Sequence, residues 1–168
     1  MLKIIYSASD MDFQQLCDIY EEYFAQNLTD RHRKVSAFAL LQEQQEFYGF
    51  LLDFFKEDGS IYAVWIDDGR YCSAVRLEKY LDGYLLAGLE TATNMRRKGY
   101  ATNLIKSIIE YCEANRSLPI YSHISNNNIP SIKAHINNGF SVLKDFAVYL
   151  DGSVDRRSKT YCYKKDEV

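Results

Sequence analysis

Arg96-Arg97-Lys98-Gly99-Tyr100-Ala101 sets three cations beside two small residues, between an apolar run at Tyr84–Leu89 and a helical pattern that begins near Ala101. Gly99 and Ala101 let a ligand approach the backbone closely. The helix that follows offers unpaired N–H groups and the positive end of its dipole. Thr102, just inside it, can add a hydroxyl, and the Arg97 fork can bind two oxygens where Lys98 binds as a point charge. This is the chemistry of a phosphate seat, a pyrophosphate above all. No Gly-x-x-x-x-Gly-Lys-Ser/Thr and no Gly-x-Gly-x-x-Gly occurs, so neither a P-loop nor a dinucleotide fingerprint is present. The bland reading of Arg96, Arg97 and Lys98 is a solvated charge run.

Two further places carry chemistry. Glu90 closes an otherwise apolar strand just before Thr91-Ala92-Thr93. An alkyl amine, with a pKa of about 10.4, is mostly protonated at neutral pH and needs a base before it can attack a thioester. A partly buried carboxylate with a raised pKa is such a base; the alternative is that Glu90 only pairs with a nearby Arg or Lys. Downstream, Asn128-x-x-Ser131-x-x-x-His135-x-x-x-Gly139-Phe140 puts Asn128, Ser131 and His135 on one helical stripe, with Ile129, Ile132 and Ile136 on the next. The apolar stripe is expected to pack and the polar stripe to face a ligand; the alternative is an N-cap followed by two solvated residues. His135 can donate a hydrogen bond, or a proton when charged. His123 reads as a core or edge histidine, and Arg31-His32-Arg33-Lys34 as a solvated helix start. No Ser-His-Asp order and no His/Cys metal spacing stands out.

The spacing Arg96-x-x-Gly99-x-Ala101 resembles the Arg/Gln-x-x-Gly-x-Gly/Ala signature of the GNAT superfamily of N-acetyltransferases. The Asn128–Phe140 pattern resembles that family's Asn-x-x-Ala/Ser-x-x-x-Tyr-x-x-x-Gly-Phe. The resemblance implies an acetyl-CoA-dependent N-acetyltransferase. Its pyrophosphate loop is Arg96, Arg97, Lys98, Gly99, Tyr100, Ala101 and Thr102. The backbone of Thr91, Ala92 and Thr93 meets pantetheine and the thioester carbonyl, and Asn128 and Ser131 line the same arm. Glu90 takes the place of the general base. His135 replaces the Tyr that commonly protonates the departing thiolate, and it is shorter. The implied reaction is direct attack by a primary amine of a small molecule, peptide or protein, with no metal and no acyl-enzyme, because no cysteine is placed to carry one. Homodimers are common in the family. Two rivals remain at this stage: a non-catalytic CoA-binding or sensory domain on the same fold, and a nucleotide-phosphate binder of another class.

The elements that must position these residues follow from periodicity. Leu2–Ser7 is a predicted strand. A helix is expected from Ser9 or Asp10 to about Gln26, and a longer one from Thr29 or Asp30 to about Lys56, with a break near Gly49. Ile61–Ile66, Tyr71–Leu77 and Tyr84–Thr91 read as an antiparallel meander, turned at Asp67-Asp68-Gly69 and Asp82-Gly83. A helix over Tyr100–Asn115, a strand over Pro119–Ile124, a helix over Asn128–Asn138 and strands over Phe140–Leu150 and Arg157–Tyr163 complete the chain. The order β-α-α-β-β-β-α-β-α-β-β is that of the GNAT fold, a mixed α/β (α+β) domain spanning 1–168, with about seven mostly antiparallel strands and four helices. Its 168 residues, 47% hydrophobic and 26% charged, suit one globular domain. A net charge of −3 argues against nucleic acid or an anionic membrane as partner, and no run of ~18 apolar residues predicts a span. Cys17, Cys72, Cys112 and Cys162 lie far apart and read as free thiols in a reducing cytoplasm, the expected compartment. The first residues turn polar too soon for a secretory signal. Asp166-Glu167-Val168 is expected to be a loose tail.

Overall fold

The computed structural model describes residues 1–116 and 119–165. A seven-stranded sheet runs in the order β1 (Leu2–Ile5), β2 (Ile61–Asp67), β3 (Arg70–Tyr80), β4 (Gly83–Thr91), β5 (Ile120–Ser125), β9 (Ser158–Tyr163), β6 (Ser141–Lys144). All neighbours are antiparallel except β4 and β5. Strand alternation gives each face its own core. Ile61, Ala63, Val75 and Leu77 point to the side covered by α4 (Tyr100–Ala114), where Leu104, Ile105, Ile108 and Cys112 are fully buried. Tyr62, Val64 and Ala74 point to the other side, under Leu16, Cys17 and Phe24 of α1 (Phe13–Ile19) and α2 (Glu21–Asp30), and Leu51 and Phe54 of α3 (Ala37–Phe54).

Fold class and the seven-stranded, mostly antiparallel sheet follow the expectation; the helices and the last strands do not divide as expected. The described residues hold five α-helices, the fifth being α5 (Ile129–Ile136). The helix expected to run to Gln26 stops at Tyr20, whose backbone leaves the helical region (φ −95°, ψ 11°) and whose N–H is shared between the Leu16 and Cys17 carbonyls. The long helix expected from Thr29 begins only at Ala37, where the Ser36 hydroxyl accepts from the Ala39 N–H. Between them α2 is closed without a glycine: His32 adopts φ 56°, and the Arg33 N–H reaches back to the Leu28 carbonyl at 2.8 Å. Gly49 lies inside α3 and does not break it. The strand expected over Phe140–Leu150 is also two pieces, β6 in the sheet and β7 (Ala147–Val148), which pairs with β8 (Val154–Asp155) in a separate hairpin. The expected tail at residues 166–168 lies outside the described residues.

Candidate active site

β4 and β5 pair in parallel only at Tyr84–Leu86 with Ile120–Ser122. Beyond Leu86, β4 stays with β3 and β5 stays with β9, so the two strands part. A bulge in β4 drives the parting: the β3–β4 register shifts between Ala74 and Arg76, and Gly88 sits at φ 63°. The positive φ favours glycine there, and a Cβ would also lie 3.1 Å from the Arg76 guanidinium. The gap between the strands becomes a cleft of about 620 Å³. Its floor is Leu89, Glu90 and Thr91, and its far walls are the start of α4 and one side of α5.

The start of α4 carries the loop that the sequence marks as a candidate phosphate seat. Gly99 is its N-cap at φ 81°, and no side chain of the described residues caps the helix. The Tyr100, Ala101 and Thr102 amides therefore lack an intrahelical acceptor and face the dipole's positive end. A Cβ built on Gly99 meets nothing within 4 Å, so that position opens toward the cleft. Arg97, itself at φ 62°, also lines it, as do Ala101 and Thr102. Asn128 caps α5 by accepting the Ser131 N–H at 3.2 Å, and both residues line the cleft. Of the other expected contacts, Ala92 is buried against the α1–α3 core, and the Lys98 amine turns to the Met95 sulfur at 3.6 Å. Neither Ala92, Thr93 nor Lys98 lines the cleft by its side chain.

Glu90 stands at the junction of this cleft with a second cavity of about 420 Å³, and it lines both. Burial raises its pKa above the ordinary carboxylate value; the Arg96 cation opposes that shift and the Glu22 carboxylate adds to it. Arg96 is less a phosphate ligand than a clamp. Its Nη2 lies 2.7 Å from Glu22 and 4.0 Å from Glu90, and its Nε donates to the Thr91 carbonyl at 3.2 Å. The Thr91 hydroxyl donates to Ser73 Oγ, which donates to the Glu90 carbonyl at 2.7 Å, so the strand end is held on its β3 side.

The second cavity lies between β3, β4, α2 and α3. Its inner end is a hydroxyl chain: Tyr62 donates to Tyr20 at 2.8 Å, and Tyr20 donates to the bulged Gly88 carbonyl at 2.5 Å. Burial holds both phenols protonated, Tyr62 at about 12 and Tyr20 well above the ordinary value. Tyr20→Phe would strip the Gly88 carbonyl and the Tyr62 hydroxyl of a partner inside the core. Denaturant unfolding should show a loss of about 1–3 kcal/mol.

His135 departs from its expected orientation. It is 1% exposed, does not line the cleft, and packs edge-on against Phe140 at 4.9 Å. Its Nδ1 donates to the Ser131 carbonyl at 2.8 Å, which leaves Nε2 as a buried, unprotonated nitrogen without a partner among the described residues. The stripes of α5 are turned from the expected setting: Ile129 and Ile136 are half exposed, while Ala134 and His135 are buried. The docking of α5 on α4 sets this rotation, with Asn138 Nδ2 donating to the Thr102 carbonyl at 3.1 Å. His123, read as a core or edge histidine, is partly buried, and neither ring nitrogen has a hydrogen-bond partner among the described residues. Its ring lies between Tyr80 and Tyr149, at 5.3 and 5.1 Å, with both nitrogens buried. Burial lowers the pKa of both histidines. Their depressed folded pKa contributes stability that is present above about pH 6.5 and lost as the pH falls through the folded value. The melting temperature should therefore fall between pH 7 and pH 5. His135→Asn keeps a donor near the Ser131 carbonyl but cannot titrate, so its melting temperature should start lower and change less over that window.

No group of three or more His, Cys, Asp or Glu side chains placed to hold a metal occurs among the described residues. Nor is any helix there long and apolar enough to cross a membrane.

Residues 13–140 match the family model described as "Acetyltransferase (GNAT) family", and the chain belongs to that family. No curated protein matches it. Among solved structures, it is similar to the PaiA N-acetyltransferase of Thermoplasma acidophilum in complex with coenzyme A, at 13% identity and a TM-score of 0.69, over 98% of this chain and 99% of that one. It is similar to the ribosomal-protein-S5-alanine acetyltransferase of Vibrio fischeri, at 16% identity and a TM-score of 0.68, over 99% and 93%. It is also similar to the ribosomal-protein-S18-alanine N-acetyltransferase of Escherichia coli, at 14% identity and a TM-score of 0.61, over 100% and 99%. At such identities the likeness is one of fold.

Proposed function

We propose that this chain transfers an acetyl group from acetyl-CoA to a primary amine. The single observation that carries the reading is the place of Glu90: one carboxylate, its pKa raised by burial, shared by a cleft with a phosphate seat and by a separate cavity. The cleft suits acetyl-CoA. The uncapped α4 amides and Arg97 would hold the pyrophosphate, and the open space above Gly99 leaves room for it. The unpaired edge of β4 and the Asn128–Ser131 side of α5 would flank the pantetheine arm, which brings the thioester to the β4 end of the cleft.

The amine arrives from the second cavity as an ammonium. Glu90 takes its proton, the freed nitrogen attacks the thioester carbonyl, a C–N bond forms and the C–S bond breaks. CoA leaves as thiolate and takes up the second proton, which the acylated nitrogen sheds, so the products are the amide and free CoA thiol, and Glu90 returns its proton to solvent. A thiol of pKa about 8.5 is a good leaving group without a dedicated acid, so the inward turn of His135 does not obstruct the reaction. His135 then serves as the packing pin that orients α5, not as the proton donor.

Thiol release from acetyl-CoA, followed with a panel of primary amines, tests the reading. Amine-dependent release supports it. Acetyl-CoA binding with no amine-dependent release from a wide panel would favour the non-catalytic CoA-binding domain instead.

A further inference from the structure

We infer that the acceptor is a small primary amine with a single positive charge on an aromatic or otherwise apolar body, not a polyamine or an aminosugar. The inference rests on the acetyl-transfer reading above and names the substrate of its second cavity.

The walls of that cavity are rings. Phe47 touches Tyr20, Phe24 and Phe50 at centroid separations of 5.3, 5.5 and 6.1 Å, the last pair stacked. Tyr23 and Phe50 also line the cavity and remain 51% and 40% exposed, so part of each ring is open there. Aromatic walls of this kind reward an apolar body and give nothing to a string of hydroxyls.

The charges are matched so that one carboxylate is left. Glu43, only 4% exposed, is held by Arg31 at 3.1 Å and by Arg33 at 3.7 Å. Glu46 lies 3.6 Å from the same Arg31. Glu78 takes Arg76 Nε at 2.9 Å, and Glu22 takes Arg96 at 2.7 Å. Among the described residues Glu90 has no cation closer than Arg96, at a loose 4.0 Å. One ammonium therefore finds a partner. A second one, deeper in the cavity, would meet Arg76, whose guanidinium lies 4.8 Å over the Phe50 ring. Bringing a charge there without a counter-charge is costly. A volume of about 420 Å³ suits a small molecule.

The test is steady-state thiol release at saturating acetyl-CoA with phenethylamine, ethanolamine, spermidine and glucosamine. Phenethylamine should have the highest kcat/KM, by about tenfold or more over each of the others. Phe50→Ala should raise its KM by about tenfold and leave CoA affinity unchanged, and Phe50→Tyr should restore it. Preference for spermidine or glucosamine would overturn the inference and leave acetyl transfer standing. If no amine releases thiol, the acetyl-transfer reading fails, and calorimetry of phenethylamine with the CoA-saturated protein decides the cavity separately. Binding that Phe50→Ala weakens upholds an apolar amine site; no binding overturns it.

Discussion

Gly99→Asp should weaken CoA binding by ~100-fold or more while leaving a folded protein. Gly99 caps α4 at φ 81°, and its missing Cβ opens onto space and not onto the protein. A carboxylate there would enter the volume reserved for phosphate and set like charges a few ångströms apart, beside amides that now serve one anion. The backbone cost is smaller, about 1 kcal/mol, since Asp tolerates the left-handed region better than most residues. Gly99→Ala separates the two effects. It carries the backbone strain without the charge, so its CoA affinity should fall far less. Calorimetry with CoA, alongside a melting curve for each variant, makes the comparison.

Glu90→Gln should lower turnover by ~100-fold or more with CoA affinity nearly intact. The substitution keeps the size of the side chain and removes the proton acceptor. Because burial raises the pKa of Glu90, the acid limb of kcat/KM should fall above the ordinary carboxylate range and disappear in the variant. The sign for stability is opposite to that for activity. A carboxyl with a raised folded pKa binds its proton more tightly in the native state, so its contribution to stability declines as the pH rises through that window. Glu90→Gln should therefore not melt lower than the parent at pH 7. Turnover within twofold of the parent across the pH range would assign the base elsewhere.

What was legible in the sequence was local. The Arg96–Ala101 loop, the Asn128 cap and the meander turns each rest on residues within a few positions of one another, and each stands where the pattern put it. The hidden parts depend on contacts between distant segments. Tyr20 sits on an apolar helical stripe and reads as core, yet its hydroxyl meets Gly88 at the far side of the sheet, and the helix divides there. Glu43 looks like one more solvated helix acid until Arg31 and Arg33 fold back on it. Two stripes of α5 lie side by side, and only its docking on α4 and Phe140 decides which turns inward, so His135 was placed in the cleft by pattern and in the core by packing. The cavity beside Glu90 is assembled from β3, β4, α2 and α3 and has no motif of its own.

If CoA lies along the splayed β4, with its phosphates on the α4 amides and its thiol beside Glu90, titrating it into the 15N-labelled protein should move two groups of amides most, Gly99–Asn103 at the start of α4 and Leu89–Thr93 at the strand end, with smaller shifts at Asn128–Ser131. Saturating CoA that leaves both groups unmoved, or shifts that centre elsewhere on the sheet, would contradict this placement.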